Sequence, residues 1–155
     1  MVNQNLNVEV DSDPAENRVE EELEQYLVFQ CDELYIGVQV DYVEEAIINH
    51  SITPLPTLPD YIRGVINLRG EIVPIIDVRM RLGKSGDSED SVIVLNVNGT
   101  QVGILVDRVD QMIKIPKKDI LPMPTHNAQK LTNGICSLPE GGTMLVLNCP
   151  ALLEL

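Results

Sequence analysis

The stretch Val92-Ile-Val-Leu-Asn-Val-Asn-Gly-Thr-Gln-Val-Gly-Ile-Leu-Val106 decides the fold class of this chain. Two apolar, β-branched runs flank Asn98-Gly99, the dipeptide that best tolerates positive φ at both central positions of a type I′ turn. Such runs around such a turn predict a β-hairpin. The composition agrees, since one Phe, four Tyr and no Trp among 155 residues leave a core of Val, Ile and Leu. β-Branched residues favour strands, so we expect an all-β protein.

An earlier stretch repeats this pattern. The segment from Tyr26 to Val40 holds two apolar runs around a polar turn at Asp32-Glu33, and it superimposes on the first stretch after a gapless shift of 66 positions. The matched pairs are Val28 with Val94, Gly37 with Gly103, Val40 with Val106, Asp41 with Asp107, Val43 with Val109 and Ile47 with Ile113. Two copies of one module explain these matches. We place the copies at about residues 24–82 and 91–148 and expect them to form intertwined subdomains.

Each copy ends in a second hairpin. In the first copy, Gly64–Leu68 and Glu71–Ile76 flank Arg69-Gly70, where Gly70 is predicted to take the positive φ of a tight turn. The second copy has an equivalent hairpin around a looser turn at Gly141-Gly142. Strands joined by short turns predict a pair of small antiparallel barrels.

Three shorter segments connect these hairpins. The segments that begin at Asp41 and Asp107 are either one-turn helices or bent strands, because Asp is a good helix N-cap but the pattern is too short to decide. Residues 77–82 predict a short helix capped by Asp77. The polar run at residues 83–90 predicts a flexible connector between the copies.

The charge distribution excludes some classes of partner. The net charge is −13, and residues 1–25 contain eight acids against Arg18 alone. Binding to nucleic acid depends on releasing counterions to Lys and Arg, so nucleic acid is not an expected partner. Residues 1–22 lack an apolar period and are predicted to be a disordered acidic tail, which leaves residues 23–155 as the folded domain. Without a secretory signal or an apolar run of about 20 residues, we expect a cytoplasmic protein with no direct membrane insertion.

No residue pattern predicts catalysis, a cofactor or a bound metal. Cys31, Cys136 and Cys149 are odd in number, widely spaced and set among apolar neighbours, so we expect buried reduced thiols. His50 and His126 lack the ligand spacing of a metal site. The carboxylates do not form a recognisable catalytic pair. A small-molecule pocket between two barrels stays open as an alternative.

Residues 59–78 carry a family signature. The segment Pro59-Asp-Tyr-Ile-Arg-Gly-Val-Ile-Asn-Leu-Arg-Gly-Glu-Ile-Val-Pro-Ile-Ile-Asp-Val78 closely resembles the signature of CheW-like domains. The resemblance extends upstream through Val43-Glu-Glu45 and downstream through Val102–Asp107, and covers about residues 24–155. It implies two five-stranded, SH3-like β-barrels that share a hydrophobic core and carry short helical segments.

The resemblance also implies a function. CheW-like proteins are non-catalytic scaffolds that bind the regulatory domain of the histidine kinase CheA and the cytoplasmic tip of chemoreceptors. They are thereby recruited to membrane-bound receptor arrays, where ligand occupancy controls autophosphorylation of the kinase. The alternatives are an adaptor of a twitching or gliding pathway, a CheV-like protein without its receiver domain, or a small-molecule-binding protein.

The resemblance further assigns candidate site residues. Glu45 and Arg69 match a carboxylate and an arginine that are linked to receptor coupling. The implied receptor-binding residues are Val40, Val43, Glu45, Ala46, Gly64 and Arg69, and the implied kinase-binding residue is Arg63. Many relatives carry Arg where this chain has Ile47, so the sequence departs here from the usual polar pattern of the receptor surface.

Overall fold

The computed structural model describes residues 22–48, 51–83, 91–123 and 131–154, and strands dominate these ranges, which confirms the expected all-β class. The strands are β1 (Leu23–Cys31), β2 (Leu34–Gln39), β3 (Val43–Ile48), β4 (Ile62–Leu68), β5 (Glu71–Asp77), β6 (Ser91–Val97), β7 (Thr100–Val106), β8 (Arg108–Pro116), β9 (Leu121–Pro122), β10 (Thr132–Ser137) and β11 (Thr143–Leu147). The helical elements are α1 (Val78–Arg81) and 3₁₀ turns at Val40–Tyr42, Lys117–Asp119 and Cys149–Leu153.

The strands form two sheets, and each sheet contains strands from both copies of the repeat. The order is β9-β10-β11-β2-β1-β8 in the six-stranded sheet and β3-β6-β7-β5-β4 in the five-stranded sheet. Four ladders join the copies: β1·β8 and β2·β11 in the first sheet, β3·β6 and β5·β7 in the second. The β2·β11 and β5·β7 ladders are parallel. The sequence did not predict these parallel pairs, because each joins hairpins of different copies.

Three apolar clusters fill the fold. Adjacent residues of β1 belong to different clusters, since Val28 lies inside the six-stranded sheet and Phe29 lies between the sheets. In β6, Val94 lies inside the five-stranded sheet and Leu95 lies in the cluster between the sheets. Both faces of these strands are therefore buried, which explains why the sequence shows continuous apolar runs instead of alternation. The cluster between the sheets is the shared core that the family resemblance implies.

The matched glycines of the repeat make room for a side chain from the parallel neighbour. A Cβ atom on Gly37 would lie 2.5 Å from Sδ of Met144, and one on Gly103 would lie 2.5 Å from Cδ1 of Ile75. Carbon atoms in packed interiors are separated by about 3.5–4.0 Å. The repeated glycine therefore has the same steric role in both sheets.

Both sheets curl towards a barrel. The strands β8 and β9 lie at opposite edges of the six-stranded sheet, yet only residues 117–120 separate them along the chain. Five residue steps span at most about 18 Å, whereas a flat sheet would hold its outer strands about 24 Å apart. In the five-stranded sheet, Thr53 near the end of β3 pairs with Val65 of β4, the strand at the far edge. Within the described residues, no continuous ladder closes either sheet.

The structure decides between the alternatives for the short segments. Val40–Tyr42 forms a 3₁₀ turn that leads directly into β3, and Asp107 is a single bend residue between β7 and β8. The segments that begin with Asp are therefore bent strands with at most one 3₁₀ turn. Helix α1 follows Asp77, whose side chain accepts a hydrogen bond from the N–H of Met80 at 3.3 Å, as the predicted N-cap requires.

Some sequence predictions fall outside the described residues. These are the acidic tail up to residue 21, both histidines and residues 84–90 of the connector. The last residue of the predicted tail, Glu22, is described, and its carbonyl accepts a hydrogen bond from the N–H of Lys117 at 2.8 Å. None of the helices in the described ranges has the length and apolar character to cross a membrane.

Candidate functional site

Arg69 lies at the tip of the β4–β5 hairpin in a backbone conformation that few side chains adopt. Its φ is 52° and that of Gly70 is 88°, so both central residues of the turn are left-handed, as in a type I′ turn. Oδ1 of Asn67 accepts a hydrogen bond from the N–H of Gly70 at 3.0 Å, which holds the turn closed. The sequence predicted the positive φ of Gly70 but not that of Arg69. The arginine side chain projects from the tip and is 69% exposed.

Arg69 reaches across the five-stranded sheet to Glu45. Its Nη2 lies 3.1 Å from Oε2 of Glu45, and its Nη1 lies 3.4 Å from Oε1, which gives a two-point contact. Glu45 is on β3 at one edge of the sheet, whereas the hairpin that carries Arg69 forms the other side. A flat sheet would separate β3 from β4 by about 19 Å. The curl of the sheet therefore brings together two residues that are linked by the family resemblance.

A second carboxylate lies beside this pair. Glu44 accepts hydrogen bonds from Nδ2 of Asn96 at 3.0 Å and from Nε2 of Gln101 at 2.7 Å. These two hydrogen bonds lower the pKa of Glu44, and the positive charge of Arg69 lowers it further. Glu44 is therefore ionised at neutral pH. Together with Glu45, it gives this surface two fixed carboxylates around one guanidinium group.

A β-bulge in β3 sets which side chains face outwards. The register against β6 shifts between Val43 and Glu45, so Val43 and Ala46 both pair with residues of the shared core, while Glu45 pairs with a residue of the sheet interior. Val43 is partly buried against the shared core and Ala46 is exposed. Ile48 lies on the same face as Ala46 and is 70% exposed. Sequence analysis missed Ile48, because only the bulge aligns it with Val43 and Ala46.

Val40 and Gly64 occupy different environments. Val40 lies in the 3₁₀ turn before β3 and packs against the shared core. Gly64 is buried with a φ of 145°, and a Cβ atom there would overlap the carbonyl oxygen of Thr53 and lie 2.9 Å from Cα of Pro54. Gly64 therefore lets residues 53 and 54 cross over β4, and it presents no side chain to a partner.

Arg63 is committed to an interior contact. Its Nη1 lies 3.0 Å from Oδ2 of Asp77, whose side chain is fully buried, while the side chain of Arg63 is 32% exposed. Asp77 also caps α1. Arg63 therefore neutralises a buried carboxylate, which gives it a structural role in addition to the kinase contact that the resemblance implies.

Ile47 has a structural explanation. It pairs with Val92 of β6 and packs partly buried against the cluster inside the five-stranded sheet. An apolar side chain fits this environment without the cost of removing a charge from water. The departure from the frequent Arg therefore adds to the sheet interior, next to the outward face that carries Ala46.

The cysteines are free and buried, as predicted. Burial raises the pKa of Cys31 and of Cys149 to about 12, and it also raises the pKa of Cys136. The three groups are thiols at neutral pH and are poor nucleophiles in that form. In the described part of the chain, no group of three or more His, Cys, Asp or Glu side chains could hold a metal ion.

One cleft of about 310 Å³ tests the small-molecule alternative. It is bordered by Tyr26, Tyr42, Pro122 and other residues beside the β11 end of the six-stranded sheet. The hydroxyl of Tyr26 donates a hydrogen bond to Oε1 of Glu24 at 2.8 Å. This hydroxyl already has an acceptor, so it is not a donor held ready for a ligand.

Comparison with known proteins agrees with this arrangement. Residues 25–155 match the model of the CheW-like domain. The chain is 37% identical over 131 residues to the chemotaxis protein CheW of Thermotoga maritima, covering 83% of this chain and 86% of the relative. It is 35% identical over 128 residues to the chemotaxis protein CheW of Klebsiella aerogenes, covering 80% and 77%. The crystal structure of the scaffolding protein TtCheW from Thermoanaerobacter tengcongensis superimposes with a TM-score of 0.76 at 28% identity, covering 82% of this chain and 90% of that one.

The two intertwined sheets with a shared core and an exposed charged surface define a β-sheet scaffold. The chain belongs to the CheW-like family.

Proposed function

We propose that this chain is a non-catalytic chemotaxis adaptor that couples the histidine kinase CheA to chemoreceptors. Membership of the CheW-like family supports this role. The structural observation that carries the proposal is the Glu45–Arg69 pair, which joins opposite sides of one sheet at an exposed position. A partner that covers this pair removes it from water, so binding should depend on the sign of each charge.

The receptor surface of the proposal combines this pair with the outward face of β3. Ala46 and Ile48 supply exposed apolar area, and Val43 links that area to the shared core. An apolar centre with charged groups at its rim is a common composition of protein interfaces. The cytoplasmic tip of a chemoreceptor is the partner proposed for this surface, and its binding recruits the adaptor to receptor arrays.

The proposed kinase contact has weaker structural support. Arg63 is partly exposed, but it already binds the buried carboxylate of Asp77. The regulatory domain of CheA is proposed to contact the accessible part of Arg63. A variant at Arg63 should therefore change both stability and kinase binding, whereas a variant at Arg69 should change receptor coupling with little effect on stability.

A pull-down with CheA and receptor fragments from the same organism tests the proposal. The purified chain should retain both partners, and Arg69→Glu should reduce retention of the receptor fragment more than retention of CheA. Retention of neither partner would reject the adaptor function. Retention only of a kinase from a twitching or gliding pathway would reject the chemotaxis assignment in favour of that pathway.

A further inference from the structure

Neither copy of the repeat contains a complete sheet. Among the described residues, the first copy keeps the β1·β2 and β4·β5 ladders within itself, and the second copy keeps β6·β7 and β9·β10·β11. The strands β3 and β8 form ladders only with the opposite copy. Each copy therefore depends on the other to complete its sheets and to cover the shared core.

The contacts between the copies do not depend on their covalent connection. Besides the four cross-copy ladders, Nη2 of Arg79 in the first copy lies 2.7 Å from Oδ2 of Asp107 in the second. Asn96 and Gln101 of the second copy bind Glu44 of the first. Along the chain, the copies are joined only through the segment between α1 and β6. A second chain can supply the same strands and side chains.

We propose that two chains exchange copies to form a closed dimer, in which the first copy of each chain folds with the second copy of the other. Every ladder, the shared core and both sheet interiors are retained in this dimer, and only the segment between α1 and β6 changes its path. Exchange of identical elements is a low-cost route to dimers, because the native contacts are reused. The partner on the cross-copy surface is thus a second copy of this chain.

The competition between monomer and exchanged dimer depends on concentration. A short flexible connection gives an effective concentration on the order of millimolar between the parts it joins. Refolding at about 1 mM should therefore give dimer and monomer in comparable amounts, whereas refolding at about 1 µM should give below about 1% dimer. The dimer should persist after dilution, because separating the chains requires breaking all four cross-copy ladders.

The first measurement is light scattering with size-exclusion chromatography after refolding the full chain at these two concentrations. The expected dimer has twice the 17.2 kDa mass of the chain. Protein concentrated to about 1 mM and incubated just below its melting temperature gives an independent route to exchange if refolding is inefficient. Absence of a dimer by both routes would overturn the proposal.

The second measurement distinguishes exchange from surface association. Gln25 and Lys114 are opposite each other on β1 and β8, so Gln25→Cys with Lys114→Cys places one thiol on each copy. Asn96→Cys with Gln101→Cys is the matched control, because these positions are opposite each other within the second copy. The native cysteines are buried and do not compete for a short thiol crosslinker under native conditions.

The two crosslinked pairs give opposite expectations. In the isolated dimer, the cross-copy pair should link two chains, and the within-copy control should link residues of one chain. In the monomer, both pairs should link residues of one chain. A dimer in which the cross-copy pair also links residues of a single chain is a surface dimer, and it would overturn the proposal.

Discussion

Replacement of Arg69 by Asn separates a partner contact from a structural ion pair. Asn tolerates the left-handed backbone conformation that Arg69 adopts with a φ of 52°, so the hairpin turn should remain. The substitution removes the guanidinium group and leaves Glu45, which is 30% exposed, in contact with water. The variant therefore tests the charge without distorting the turn.

The expected change in stability is small. The ion pair contributes about 0–1 kcal/mol, because Arg69 is 69% exposed and water screens the interaction. Relief of the left-handed strain, which costs about 1–2 kcal/mol for most residues, opposes this loss. The free energy of unfolding of Arg69→Asn should lie within about 1 kcal/mol of the wild-type value, as measured by urea denaturation.

The expected change in receptor coupling is much larger. Removal of one member of a charge pair that a partner covers costs about 2–5 kcal/mol of binding, much of it from leaving the other charge buried. At 1.4 kcal/mol per tenfold, the lower end of this range weakens binding about 30-fold. The assay is calorimetric titration with a receptor fragment, followed by receptor-dependent autophosphorylation of CheA. Lys117→Glu is a matched control, because Lys117 forms an exposed ion pair with Glu22 and is not among the proposed site residues.

Charge reversal gives the second arm of this test. Arg69→Glu and Glu45→Arg should each reduce kinase activation, and the double variant should recover stability more than activation, because the partner keeps its original charges. Full recovery of activation in the double variant would mean that the pair acts only within the fold. Wild-type activation by Arg69→Asn would refute the proposed receptor contact.

Three further predictions address the fold. Gly103→Ala should lower the free energy of unfolding by about 1–3 kcal/mol, because its Cβ would meet Cδ1 of Ile75; the double variant with Ile75→Val should recover part of that loss in urea denaturation. Arg63→Ala should cost about 3 kcal/mol, because it leaves buried Asp77 unpaired, and the same denaturation measurement would reject the interior role if the loss were below about 0.5 kcal/mol. The pKa of Cys31 is raised from 9.0 to about 12 in the folded chain, so stability should be fully present below pH 9 and decline by about 1.4 kcal/mol per pH unit for this thiol up to about pH 12; Cys31→Ala should show a shallower decline.

Local sequence patterns were enough to predict the hairpins and their turns. Asn98-Gly99 takes positive φ at both positions, and Asp77 caps α1, because each feature depends only on neighbouring residues. The gapless match between the copies also predicted equivalent strands at equivalent positions. These successes follow from the short range of turn chemistry and strand alternation.

Features that depend on pairing between distant strands could not be predicted in the same way. The exchange of strands between the copies depends on which edges meet, and the period of either copy alone is compatible with separate barrels. The bulge in β3 reverses the alternation after Val43 and so places Ile48 beside Ala46. The interior contact of Arg63 depends on burial of Asp77, which is 14 positions away. None of these relations has a local sequence pattern.

The intertwined topology also determines how variants at the candidate site must be interpreted. Glu45 is positioned by the ladder between β3 and β6, whereas Arg69 is on a hairpin held by the ladder between β5 and β7. Both ladders join the two copies, so a core substitution in the second copy can move Glu45 relative to Arg69 without touching either residue. Loss of signalling by a variant at Val94, which pairs directly with Glu45, is therefore evidence for a partner contact only if its stability is unchanged. Arg69 is the better position for such evidence, because its exposed side chain can be altered while both ladders stay intact.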